Sequence, residues 1–265
     1  QTGIPGGIWK FVFPPVDLSL DRLPKILFIS PRDRIDQIEA VRLVPDVPTQ
    51  AKESLEGKIF RQEDLSALVA SIGGLSTYPA LIESSELRFA LRSAGHEWLH
   101  NYLFFRPLGQ RDPRDSNMRT LEETLADIVG DEVGNQALAR LTGDSTPVET
   151  TTMARPCTAE QFCFDREMRK TRLHVDALLA QGKIEEAETY MEQRRQVFVE
   201  EGYYIRKLNQ AYFAYHGTYG GSVASVSPIY RQLQQLLTAS DSLATFVHTV
   251  SAVSKFEEFT ALVQS

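Results

Sequence analysis

The chain has 265 residues, 42% of them hydrophobic and 24% charged, and carries a net charge of −7. That length suffices for one large domain or two small ones with a sizeable core. The acidic balance and the lack of any Lys/Arg run exclude a protein that tracks a phosphate backbone, so no nucleic-acid partner is expected, and no stretch is apolar enough to cross a bilayer.

The chain opens at Gln1 rather than Met, as a mature or trimmed product does, which leaves room for a secretory leader or membrane anchor ahead of it. Residues 1 to about 82 are rich in Pro and β-formers. Lys25-Ile26-Leu27-Phe28-Ile29-Ser30, stopped by Pro31, reads as a buried strand. Leu75 to Ile82, after Gly73-Gly74, reads as a second strand; its Pro79 cannot donate to a ladder, which puts it at a sheet edge.

From Ser85 onward the pattern turns helical. Ser85 is a plausible N-cap for a helix running to about Phe105, where Pro107 and Gly109 end it. A second helix is expected from roughly Asn117 to Leu141, closed by Gly143. Residues 158–181 and 183–201, joined at Gln181-Gly182, suggest a long αα-hairpin with a solvated, charged face. Three or four shorter helices follow, the last near 255–263. Cys157 and Cys163 are spaced for a disulfide, which implies an oxidising compartment; the alternative is two free thiols.

The expected fold class is α+β, with a small N-terminal mixed sheet and a mainly helical body. The whole chain, 1–265, is expected as a single domain: a strand-containing part over 1–82, the motif-bearing helices over 83–145, and a helical part over 155–265.

His96-Glu97-Trp98-Leu99-His100 is an HExxH motif within the first helix. Residues four apart share a helical face, so His96 and His100 can grip one ion, while Glu97 lies about 100° round the helix. A zinc ion lowers the pKa of a bound water towards roughly 7. Glu97, as general base, can take the proton and later pass it to a leaving amine. A metzincin would need Gly and His where Leu103 and Arg106 stand, a deformylase-like site would need a Cys upstream, and the inverted HxxEH motif is absent.

Thr120-Leu121-Glu122-Glu123-Thr124-Leu125-Ala126-Asp127 resembles the second zinc helix of thermolysin-like gluzincins, whose ligand Glu is followed four residues later by an Asp that orients a ligand histidine. The resemblance covers about 50 residues, Ser85 to Gly134. It implies a zincin-like body holding one Zn2+ by His96, His100 and Glu123, with Asp127 behind a histidine, and peptide or protein as substrate. Glu122 is the rival ligand, but it would leave Ala126 where a carboxylate is wanted. Gly130 and Gly134 would let the second helix approach the first closely.

The resemblance also asks for a Tyr and a His that donate to the developing oxyanion. Tyr212 and His216, four apart on a probable helix, are the candidates, with Tyr219 in the glycine-rich exit; the alternative is aromatic packing with His216 as a C-cap. The family holds substrate on an edge strand before the zinc helix, and Thr77, Tyr78 and Ala80 fit that place by order in the chain; an ordinary surface strand is the alternative. Arg206 suits either a substrate carboxylate or a surface ion pair, while His174 and His248 read as structural. The rival function is a non-catalytic helical interaction protein, membrane-tethered, with a structural or lapsed zinc site. The expected location is extracytoplasmic or membrane-tethered.

Overall fold

A computed structural model describes residues 12–143 and 162–264. In chain order these form β1 (Leu18–Leu20), β2 (Lys25–Pro31), β3 (Glu39–Leu43), α1 (Thr49–Glu63), β4 (Leu65–Ser71), β5 (Gly74–Leu75) and β6 (Ala80–Ile82). Then come α2 (Leu87–Leu103), a 3-10 turn (Leu108–Gln110), α3 (Ser116–Thr142), α4 (Phe164–Leu179) and α5 (Ile184–Glu200). The last are α6 (Gln210–His216), α7 (Ile229–Ala239), α8 (Leu243–Ser251) and α9 (Phe256–Gln264). The class is α+β, with short N-terminal strands ahead of a helical majority.

The chain folds as two compact units, each drawn from separated stretches. Of the described residues, 12–23, 72–143 and 228–264 make the first unit, and 24–71 and 162–227 the second. The three consecutive parts expected from the sequence therefore do not coincide with the units. The N-terminal part is shared between both, and so is the helical C-terminal part. The strands form two three-stranded sheets rather than one small mixed sheet.

In the first unit the sheet order is β1-β6-β5, with β1 parallel and β5 antiparallel to β6. The helix α2 begins where Glu86 accepts hydrogen bonds from the Arg88 and Phe89 backbone N–H groups at 3.0 and 2.7 Å. Glu86 is thus the N-cap in place of Ser85: its longer side chain reaches two of the first-turn donors that otherwise lack partners. Asp115 caps α3 in the same way, and Gly143, at φ 70°, closes it with its N–H on the Ala139 carbonyl.

Leu99 and Leu103 of α2 interlock with Leu121, Leu125 and Val129 of α3, and Phe246, Val250 and Phe259 from α8 and α9 complete the core. Cutting Leu121 or Leu125 to Ala in such a core costs about 2–5 kcal/mol. The two motif helices cross closely because glycines line the contact. A Cβ on Gly130 would lie 2.8 Å from the Arg92 carbonyl oxygen, and one on Gly95 would lie 3.1 Å from the Gly130 Cα. Gly134 meets Arg92 similarly, so the expected close approach through Gly130 and Gly134 is present, with Gly95 as a third participant.

The segment Leu75 to Ile82 is not one edge strand. It is the hairpin β5–β6, with Thr77 and Tyr78 in the turn and Ala80 in the middle strand of the sheet. Thr77 explains the break: its hydroxyl donates to the Pro79 carbonyl at 2.7 Å and its backbone N–H to the Leu75 carbonyl at 2.8 Å, which closes the chain on itself. The sheet ends instead at β1 and at Gly74–Leu75.

In the second unit β2 is the centre of an antiparallel sheet ordered β3-β2-β4. Its central position explains the near-continuous apolar run, since both faces are covered. The helices α4 and α5 form the expected hairpin, with α4 beginning at Phe164 after an extended Cys163; residues 144–161 lie outside those described. Gly182, at φ 73°, makes the turn that only glycine enters freely. Sequence reading missed α1, whose face is largely polar. The one buried residue of α1 is Glu56, 1% exposed, which accepts from the Val69 backbone N–H at 2.7 Å, from Arg206 at 2.6 and 3.0 Å and from Lys207 at 3.2 Å. Arg206 is therefore committed to an internal ion pair.

Candidate metal centre

The site lies within the first unit, where α2 and α3 pack face to face. The i, i+4 spacing on α2 brings the Nε2 atoms of His96 and His100 to 3.2 Å from each other. Oε2 of Glu123, from α3, stands 3.6 Å from both. Bonds of 2.0–2.1 Å to a tetrahedral zinc ion would set ligand atoms about 3.4 Å apart. The three donors thus already have the spacing that one such ion requires, and the residues present fit the group. Among the described residues no other set of His, Cys, Asp and Glu side chains converges this way.

Electrostatics inside the cluster are set by burial and by charge crowding. Burial disfavours a charged His96, yet the Asp127 and Glu123 carboxylates push it up to about 9. His100 is likewise raised well above the usual imidazole range, against burial, by Glu123 and Glu122. Glu123 is held far below the usual carboxylate range: burial opposes this, but both imidazoles outweigh it. These directions leave the protons on the histidines and Glu123 ionised, and a cation would replace the protons.

Glu97 stands apart from the three donors. It is 6% exposed, and among the described residues it has no hydrogen-bond or ion-pair partner. Burial raises its pKa, partly offset by the nearby imidazoles. Its oxygens are not fully enclosed: the one fully buried side-chain N or O atom without a partner among the described residues is Oε1 of Gln232.

Each histidine has a carboxylate at its other ring nitrogen. His96 Nδ1 lies 3.2 Å from Asp127, as expected from the sequence. Arg92 bridges Asp127 and Asp131 at 3.5 and 2.5 Å. His100 Nδ1 lies 3.3 Å from Glu122, whose second oxygen accepts from Arg111 Nε at 2.5 Å. Neither Arg92 nor Arg111 carried any signal in the sequence, because their partners are brought to them by the helix crossing and by the turn after α2.

The remaining candidates divide between the units. Thr77, Tyr78 and Ala80 belong to the same unit as the ligands, but the hairpin separates their roles. Tyr78 is 59% exposed in the turn, whereas Ala80 is 4% exposed in the central strand. They do not form one binding edge. The strand residue beside the motif is Gly74 of β5. A Cβ there would lie 2.7 Å from Cδ of Glu97.

Tyr212 and His216 belong to the second unit, on α6. Asn209 caps that helix, accepting from the Tyr212 backbone N–H at 2.9 Å while its own amide donates to the Ala67 carbonyl. The two ring centroids lie 4.2 Å apart, with the planes tilted by 43°. Burial alone pushes the Tyr212 phenol up to about 12 and His216 down to about 4. Neither polar head has a hydrogen-bond partner among the described residues. Tyr219 packs on Tyr215, which stacks on Phe28 of β2. His174 packs on Tyr190 within the αα-hairpin, and His248 is exposed at the end of α8.

No protein-family model, curated protein or solved structure matches the chain.

Proposed function

We propose that the protein is a zinc-dependent peptidase of the gluzincin kind, with His96, His100 and Glu123 as ligands to one Zn2+ and Glu97 as general base. One observation carries this reading. Three donor atoms from two helices are spaced for a single ion, and a fourth group, the largely buried Glu97, feels the charges of both imidazoles and has no hydrogen-bond partner among the described residues.

Zinc, when bound, supplies a Lewis acid that makes a water nucleophilic near neutral pH and polarises the scissile carbonyl. Glu97 takes the proton from that water and delivers it to the leaving amine. Its elevated pKa suits the second role. Asp127 holds His96 in the tautomer that leaves Nε2 for the ion. The edge available for an added substrate strand is Gly74–Leu75, not Thr77–Ala80, because Gly74 ends its sheet and touches the base.

Peptide or protein substrates and an extracytoplasmic or membrane-tethered location belong to the same proposal. Cys163 is disulfide-bonded, which supports an oxidising compartment; Cys157, the chain's other cysteine, lies outside the described residues. No helix among the described residues is long and apolar enough to cross a membrane.

The test is metal content by mass spectrometry alongside turnover of a quenched peptide library. One zinc per chain is expected, with cleavage abolished by a chelator and lowered about 10²–10⁴-fold by Glu97→Gln while zinc stays bound. Stoichiometric zinc without turnover would give the rival reading, a non-catalytic interaction protein.

A further inference from the structure

We infer that Arg111 and Glu122 form a second orienting arm of the metal centre, fixing His100 as Asp127 fixes His96. The inference rests on the zinc reading above and goes beyond it, since the resemblance to gluzincins supplied only Asp127 for this role and left Glu122 as a competing ligand.

The geometry separates the two adjacent glutamates. Glu123 Oε2 points to the pair of Nε2 atoms, 3.6 Å from each. Glu122, one residue earlier on α3, is turned about 100° round the helix and meets the far side of the His100 ring, with Oε1 at 3.3 Å from Nδ1. Its Oε2 is taken by Arg111 at 2.5 Å. Both partners are largely buried, with side-chain exposures of 14% for Arg111 and 12% for Glu122. One oxygen therefore accepts the Nδ1–H of His100, and the other is held by a guanidinium.

Three consequences follow from that arrangement. Accepting from Nδ1–H selects the tautomer whose free lone pair is on Nε2, which is the atom aimed at the cation. The ion pair with Arg111 restrains Glu122, so that it does not swing round as a fourth ligand and occupy the position that a water needs. Arg111 comes from the turn following α2, so the ligand helix and the segment after it are tied to α3 at the metal centre. Arg111 binds Glu122 and the Asp112 carbonyl; it is a positioning residue acting through Glu122.

The experiment measures the zinc dissociation constant of the full chain by competition with a chromogenic chelator, together with the visible spectrum of the cobalt-substituted protein. Glu122→Ala should weaken zinc binding about 10–100-fold, as Asp127→Ala should, and Glu122→Gln, whose amide oxygen can still accept, should restore most of it. Arg111→Met should weaken binding by a smaller factor and change the cobalt spectrum. In the double variant Arg111→Met with Glu122→Ala, the arginine's effect should vanish, because it acts only through the glutamate.

If Glu122→Ala does not fold, Arg111→Met alone and Glu122→Gln still decide. A zinc constant within twofold of the native protein for Arg111→Met, with an unchanged cobalt spectrum, would overturn the inference. An arginine effect of equal size with and without Glu122 would do the same. Failure of the native chain to bind zinc at all would instead sink the metal-centre reading itself.

Discussion

Gly74 and Glu97 are in van der Waals contact through the place where a side chain at position 74 would be. The strand β5 passes over the buried carboxylate so closely that a Cβ on Gly74 would stand 2.7 Å from Cδ and 2.8 Å from Cγ of Glu97. Such separations are shorter than carbon atoms tolerate, so either the strand or the carboxylate must move. Glu97 has no hydrogen-bond partner to hold it in place, and its flexible end would yield first.

Gly74→Ala should therefore separate metal binding from catalysis. Displacing a base by about 1 Å can cost on the order of 10²-fold in rate. We expect peptide cleavage to fall by about that factor while the zinc constant stays within twofold, because the atoms nearest an added Cβ all belong to Glu97. Parallel zinc titration and initial-rate measurement on the variant check this. Undiminished cleavage would show that Glu97 is not the base or that β5 is free to shift.

The metal-free cluster predicts two opposite pH trends. His96 has its pKa raised to about 9 in the folded chain, against about 6.5 when unfolded. A raised pKa contributes stability that is fully present below about 6.5 and is lost as pH climbs through about 9. Zinc needs the same Nε2 lone pair that the proton occupies, so its affinity should rise over that window. Urea unfolding of chelator-treated protein and zinc competition in matched buffers should show the two curves moving in opposite directions. Zinc affinity that is flat from about pH 6.5 to 9 would contradict the proton exchange described here.

Glu56 supplies a stability test in the second unit. Its carboxyl lies below the usual range: burial pushes it up, and Arg206, Lys207 and the Val69 N–H more than offset that. Glu56→Ala would leave two cations and a backbone donor facing an apolar space. Breaking a buried pair by removing one partner costs about 3–5 kcal/mol. Urea unfolding should record a loss of that size, and Glu56→Gln, which keeps the acceptor for Val69, should lose less. A loss below about 1 kcal/mol for the alanine variant would mean that the ion pair is far better solvated than its 1% exposure implies.

What the amino-acid order determined by itself is local and periodic. The two motif helices, the glycines that end or separate them, the buried strand at Lys25–Pro31 and the αα-hairpin all follow from spacings of three and four, or from an unbroken apolar run. That His96 shares a helical face with His100, and Glu123 with Asp127, follows from the same periodicity; the meeting of the two faces was implied only by the resemblance to gluzincins, and the distances agree with it.

Tertiary structure decided everything in which one residue's role depends on a partner distant in sequence. Glu122 looked like a competing ligand until Arg111 was seen to hold it behind His100. The strand expected over Leu75–Ile82 broke at Thr77 because a side chain bonded across the turn, an event that no residue periodicity records. The helix α1 presents only a narrow apolar stripe, Leu55 and Ile59, and its one fully buried residue is a glutamate whose partner Arg206 lies 150 residues away. The division into two discontinuous units is of the same kind. Periodicity reports which face of an element is apolar, whereas long-range pairing of charges and of strand edges is chosen only when the elements meet.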